Sequence, residues 1–129
     1  MNTKISTKDC LDTMQAMLIH YQQQQEYITN WSIKNPIRDE IIQRILDDRA
    51  SCYGFMITTL TKTIDHISFT SIDSFDIIKM KPLFDRFYKE SIQAHVMTIQ
   101  QYMSIKQTSL VLEMIQDFGK YYYDSKQVV

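Results

Sequence analysis

The stretch from Asn35 to Ile67, NPIRDEIIQRILDDRASCYGFMITTLTKTIDHI, predicts the longest helix of the chain, over residues 36–67. Asn35 is a suitable helix cap, and Pro36 suits the first helical position because its missing N–H group would have no partner there. Gly54 lies in the middle, where we expect the backbone of another helix to pass closely. Apolar residues recur at steps of three, four and seven, so they form one stripe that other helices must cover. The stripe contains Ile42, Leu46, Tyr53, Met56, Leu60 and Ile67, with Arg49 and Thr63 at the intervening positions.

Similar apolar stripes on both sides of this stretch predict three more helices. Ser6 followed by Asp9 is a capping pattern that opens the first helix. Pro82 suits the first turn of the third helix, whereas no Gly or Pro marks the break that we place at residues 104–108. Gly119 is an expected end of the last helix, although the apolar stripe continues beyond it. The four helices are predicted at residues 7–31, 36–67, 82–103 and 108–122, with a short helical piece at residues 74–80.

The scarcity of turn residues favours an all-α fold. The 129 residues include only two Gly and two Pro, whereas a β-rich fold needs many tight turns and the residues that form them. The connection at residues 30–35 is short, which makes the first two helices antiparallel neighbours. We therefore predict an antiparallel four-helix bundle with a short extra helical segment before the third helix, in a single domain of residues 1–129.

Charge and cysteine usage limit the classes of partner and compartment. A formal net charge of −1 provides no overall positive charge to attract nucleic acid. No apolar segment approaches the roughly 20 residues that a membrane span needs, and the polar start of the chain does not resemble a secretory signal. Two cysteines are too few for a disulfide framework. We expect a cytoplasmic protein that does not bind membranes, and the overall charge favours a protein partner over nucleic acid.

The histidines do not have the spacing of a metal site. His20, His66 and His95 fall on three different predicted helices. None belongs to a Glu-x-x-His or His-x-x-x-His pair, which would place two ligands on one face of a helix. A Gly-rich phosphate loop is also absent from the sequence. We expect neither a metal nor another cofactor.

Other reactive side chains have structural interpretations. Cys10 and Cys52 are expected to be small core residues, because the predicted pairing of the first two helices offsets them along the bundle axis. Asp47 and Asp48 are adjacent on a helix and point about 100° apart, so they do not converge as an acid–base pair. We interpret both as solvated, with Arg49 reaching across to a neighbouring helix. The sequence predicts no catalytic residue.

Aromatic residues near two helix ends are the candidates for a partner-binding surface. Tyr121, Tyr122 and Tyr123 are consecutive, so they cannot all face one core, and exposed tyrosines are common in binding surfaces. Trp31 lies at the end of the first predicted helix. We interpret the chain as a small non-catalytic protein-interaction module of the adaptor, inhibitor, secretion-chaperone or immunity type. A second copy of the chain is a further candidate partner, because the apolar stripes are wide.

Two other functions remain as alternatives. Lys79, Lys81, Arg86 and Lys89 form a basic cluster around Pro82, and a nucleic-acid-binding regulator would present them as one positive face. A small helical enzyme would instead need a concave pocket that holds His20 or His95 beside Cys52 or a carboxylate.

Overall fold

A computed structural model describes the backbone of residues 3–36, 39–70, 72–93 and 100–127, and the side chains of residues 3–36, 39–70, 72–92 and 109–124. The predicted all-α class is confirmed. The helices are α1 (Thr7–Lys34), α2 (Glu40–Ser68), α3 (Met80–Gln93) and α4 (Gln100–Gln127). Two short strands, β1 (Lys4–Ser6) and β2 (Ser74–Asp76), and a 3₁₀ turn (Ile77–Lys79) complete the described elements.

The helices pack as a bundle in which each has two principal neighbours. α1 and α3 each contact both α2 and α4. The ring of Tyr21 in α1 contacts that of Tyr53 in α2, and Gln25 hydrogen-bonds to Ala50. Later residues of α1 therefore meet earlier residues of α2, so the two helices run antiparallel, as the short connection between them predicts.

The two strands tie the start of the chain to the segment between α2 and α3. They pair antiparallel, and buried Ile5 lies opposite Phe75. The predicted helical piece at residues 74–80 is therefore wrong in its first half, since residues 74–76 form β2 and the helical part begins at Ile77. The reason is that the partner strand lies about 70 residues earlier in the sequence, where local helix propensity cannot detect it.

The predicted caps are correct for α1 and wrong for α2. Ser6 Oγ accepts a hydrogen bond from the backbone N–H of Asp9 at 3.0 Å, as its capping pattern predicts. Asn35 instead ends α1, because its backbone N–H and its side-chain Nδ2 both donate to the Trp31 carbonyl. Asp39 caps α2 by accepting from the N–H of Ile41 at 2.7 Å. Asparagine suits either end of a helix, so residue type alone did not decide its role.

The predicted break between the last two helices is also misplaced. Residues 104–108 lie inside α4, and the described part of α3 ends at Gln93. Residues 94–99, which fall in the predicted third helix, are outside the described residues. α4 also continues past Gly119 to Gln127. Gly119 does not end the helix, because it lacks the positive φ of a glycine C-cap.

The central apolar stripe is buried over most of its length but not at its start. Ile42 is 45% exposed, whereas Met56 and Leu60 are fully buried. Two buried polar residues share this face, and each donates its hydroxyl to the carbonyl four residues earlier: Thr59 to Phe55 and Thr63 to Thr59. These bonds satisfy the hydroxyls inside the core.

A side chain, and not a helix backbone, occupies the space beside Gly54. A Cβ atom added there would lie 3.3 Å from Nε2 of Gln25. That nitrogen donates to the Ala50 carbonyl at 3.1 Å. The expected close backbone crossing is therefore wrong, and Gln25 fills the position at which α1 meets the middle of α2.

Substitution of the two glycines tests this packing. Gly54→Ala is expected to raise the free energy of unfolding by up to about 1 kcal/mol, because alanine is the better helix former and only the flexible end of Gln25 must shift. Gly119→Ala is the matched control, since no atom lies within 4 Å of the added Cβ. Urea denaturation measures both changes. If Gly54→Ala lowers the free energy of unfolding while Gly119→Ala raises it, the Gln25 side chain cannot move away from the added Cβ.

Candidate functional site

Two polar contacts hold α4 against α1 and α2. The Arg49 guanidinium donates to both carboxylate oxygens of Glu113, at 2.7 and 3.2 Å. One turn later, the Tyr21 hydroxyl donates to Oδ2 of Asp117 at 2.6 Å. The prediction that Arg49 reaches a neighbouring helix is thus confirmed, and both contacts lie on one face of α4.

The aromatic rings between these contacts join them into one cluster. Arg49 lies over the Tyr53 ring at 4.4 Å and also donates to the Tyr53 hydroxyl at 3.2 Å. The Tyr53 and Tyr21 rings are 5.8 Å apart. The pKa of Tyr21 is raised mainly by burial and secondly by the hydrogen bond to Asp117, so the hydroxyl keeps its proton. The cluster fixes the position of α4, and we assign it a structural role.

Tyr121 belongs to this inner face of α4. Its ring lies 5.8 Å from that of His20 on α1, and its side chain is half-buried. Burial and the nearby carboxylates of Asp117 and Asp124 raise the pKa of Tyr121. One of the three consecutive tyrosines is therefore used within the bundle.

The other two tyrosines line a pocket on a neighbouring face of α4. Its volume is about 200 Å³. The rings of Phe118 and Tyr122 are stacked with centroids 6.2 Å apart, and Tyr123 meets Tyr122 edge-on at 5.6 Å. Tyr123 remains 65% exposed. We call this site the aromatic pocket, and its lining residues are Ile77, Met80, Ile115, Phe118, Gly119, Tyr122 and Tyr123.

Sequence reasoning missed most of this lining, although one signal was present. Ile77 and Met80 come from the segment before α3, so only the tertiary fold brings them to α4. Gly119 lies one turn before Tyr123 in the sequence. Because a Cβ there would meet no atom within 4 Å, the glycine leaves one wall of the pocket open. An interior helical glycine beside exposed tyrosines was the available signal.

Trp31 does not share a surface with the aromatic pocket. It is half-buried near the end of α1, and Tyr121 contacts α1 at His20. The eleven residues from His20 to Trp31 correspond to about 16 Å along a helix. The predicted partner-binding set therefore divides, and two of its members, Tyr122 and Tyr123, line the aromatic pocket.

The predicted basic cluster is likewise not one positive face. Lys81 pairs with Asp85 at 2.9 Å, and Arg86 pairs with Glu90 at 3.5 Å. Lys81 and Arg86 are five positions apart on α3, which separates them by about 140° around the helix. The two remaining members are Lys79, which lines a different pocket, and Lys89, which is exposed.

The histidines and cysteines occupy separate places. His20 is half-buried beside two tyrosine rings, and exposed His66 contacts Phe87 at 5.5 Å. The side chain of His95 lies outside the described residues. Cys10 and Cys52 are buried and form no disulfide, and burial raises the pKa of Cys10 to about 12. Within the described part of the chain, no group of three His, Cys, Asp or Glu side chains is placed to hold a metal.

No protein-family model, curated protein or solved structure matches this chain. Among the described helices, none combines the length and the apolar character needed to cross a membrane. What the candidate site binds must follow from its own geometry and chemistry.

Removing the Tyr21 hydroxyl tests the contact that positions α4. Tyr21→Phe is expected to lower the free energy of unfolding by roughly 1.5–3 kcal/mol, because a hydrogen bond to a carboxylate is lost. The raised pKa of Tyr21 means that the folded state holds the phenolic proton more tightly than the unfolded chain does. The Tyr21 hydroxyl therefore makes its full contribution to the free energy of unfolding below a pH of about 10, and this contribution is lost as the pH rises further.

Urea denaturation at pH 7 and at pH values up to about 11 measures both effects. Tyr21→Phe should flatten the alkaline loss of stability. Tyr27→Phe is the control, since Tyr27 lies on the same helix and is 67% exposed. Equal alkaline slopes for wild type and Tyr21→Phe would contradict the assignment.

Proposed function

We propose that the chain is a small non-catalytic protein-interaction module, and that the aromatic pocket receives one large apolar side chain of a partner protein. The observation that carries the proposal is the pocket itself. Its volume of about 200 Å³ exceeds the roughly 150 Å³ of an engineered cavity that holds a benzene ring. The pocket therefore has room for a leucine, methionine or phenylalanine side chain.

The lining suits recognition of an apolar group. Tyr122 and Tyr123 provide aromatic surface with a polar tip, and tyrosine is enriched among residues that dominate binding energy at interfaces. Met80 is buried and adaptable in shape. None of the described lining residues is Lys, Arg, Asp or Glu. This composition favours a protein anchor over a phosphate backbone.

The rigidity of the pocket also supports binding through its surface. Contacts of Glu113 and Asp117 with the neighbouring helices hold α4 from another face. A wall that is already in place loses little conformational freedom when a partner binds, which favours affinity. We propose a cytoplasmic location for this module, a compartment in which cysteines that form no disulfide, such as Cys10 and Cys52, are usual.

Selection of peptides with the purified chain tests the proposal. Peptides recovered from a random phage-displayed library are expected to share one large apolar residue. Gly119→Leu should weaken their binding about thirtyfold or more, the effect expected at a residue that dominates an interface. Fluorescence polarisation of a labelled peptide measures the affinity.

Gly119→Ala is the matched control for the same position. Its small side chain enters open space, so binding should stay within about twofold of wild type, as expected for a contact outside the energetic centre of an interface. Circular dichroism and urea denaturation establish that both variants are folded. The proposal fails if the selected peptides lack an apolar anchor or bind Gly119→Leu as tightly as wild type.

A further inference from the structure

A second, larger pocket lies where the two-stranded sheet closes one end of the bundle. Its volume is about 620 Å³, within the range of roughly 300–1,000 Å³ that is usual for small-molecule sites. Both strands, the end of α2, the 3₁₀ turn and the first turn of α3 contribute to its walls. We call it the end pocket. The described lining residues of the two pockets do not overlap, so the two sites can be tested separately.

Much of the end pocket is lined by apolar side chains. Ile67 is buried, and Phe75 and Leu83 are half-buried along the same lining. Pro82 and exposed Ile72 extend the apolar surface. Removing this surface from water would favour a ligand with a hydrocarbon or aromatic body.

Basic side chains line the end pocket, and His66 is one of them. Lys4 and Lys79 line it, and Asp76 is the single carboxylate among its described lining residues. Oδ1 of Asp76 accepts hydrogen bonds from Oγ1 of Thr3 at 2.8 Å and from the N–H of Ile78 at 3.1 Å. These bonds lower the pKa of Asp76, with a smaller effect of the two lysines. The two lysines supply the ammonium groups that an anionic ligand requires.

The position of Lys79 is defined by the same carboxylate. Asp76 caps the 3₁₀ turn that carries Lys79, and its bond to Thr3 joins this turn to the start of the chain. The cation is thus presented from a fixed turn beside an apolar wall. A charge next to an apolar surface complements a molecule that carries an anionic group on an apolar body.

We infer that the end pocket binds a small organic anion, with its apolar body against Ile67, Phe75 and Leu83 and its acidic group beside Lys4 and Lys79. The ligand class is an amphipathic monoanion, such as a carboxylate or sulfonate with a hydrocarbon chain or an aromatic ring. The binding is reversible and non-covalent.

Calorimetric titration of the full chain with octanoate and with octanol tests the assignment. The two probes share an apolar chain and differ in charge. Octanoate should bind at least about tenfold more tightly, since a charge-assisted hydrogen bond is available only to the anion. Lys79→Gln should remove about tenfold of the octanoate affinity and leave octanol binding within about twofold.

Lys89→Gln is the matched control, because Lys89 is an exposed lysine of α3 that does not line the pocket. Lys4→Gln gives a second and independent test of the charge, and Gly119→Leu should leave octanoate binding unchanged. Circular dichroism verifies the fold of every variant. Equal affinities for octanoate and octanol, octanoate binding that survives both lysine substitutions, or no saturable binding of octanoate would overturn the inference.

Discussion

Two contacts made by one face of α4 determine how that helix is rotated in the bundle. Glu113 binds Arg49 of α2, and one turn later Asp117 accepts from Tyr21 of α1. The Arg49 and Glu113 side chains stay about one-third exposed (38% and 33%), and exposed pairs of this kind contribute only roughly 0.2–1 kcal/mol. Their geometry matters more than their energy, because a planar guanidinium that binds both carboxylate oxygens allows few orientations of the helix.

That rotation decides which side chains of α4 can form a binding site. Asp117 and Phe118 are adjacent, so they point about 100° apart. When Asp117 faces α1, Phe118 turns towards the start of α3, and Tyr122 follows it one turn later. Tyr121 instead stays above Asp117, beside His20. Tyr121 therefore packs inside the bundle while Tyr122 and Tyr123 line the aromatic pocket, and the polar contacts on one face of α4 explain the pocket on the next.

Helical periodicity predicted the parts of this structure that depend on neighbours in sequence. It identified the buried positions of α2, such as Met56 and Leu60, and the stripe of α4 through Phe118. It failed where a distant partner decides the outcome. Residues 74–76 are a strand because β1 lies beside them. The contact of Gln25 with Gly54 could not be predicted from the sequence, because it depends on how α1 packs against α2. In the site, the sequence indicated Tyr122 and Tyr123. It could not identify Ile77, which comes from another element, and it grouped Trp31 with the tyrosines although the fold separates them.

The segment from Ser74 to Met80 shows why the difference between a helical piece and a strand with a 3₁₀ turn matters for function. In a 3₁₀ turn, residues three apart lie on the same side. Asp76 and Lys79 accordingly line the end pocket, whereas Ile77 and Met80 line the aromatic pocket. If the whole segment were α-helical, it could not pair with β1. The wall that the two strands provide for the end pocket would then be lost. The pairing of β1 with β2 therefore closes one end of the bundle and also orients a single short segment so that its two sides serve two chemically different pockets.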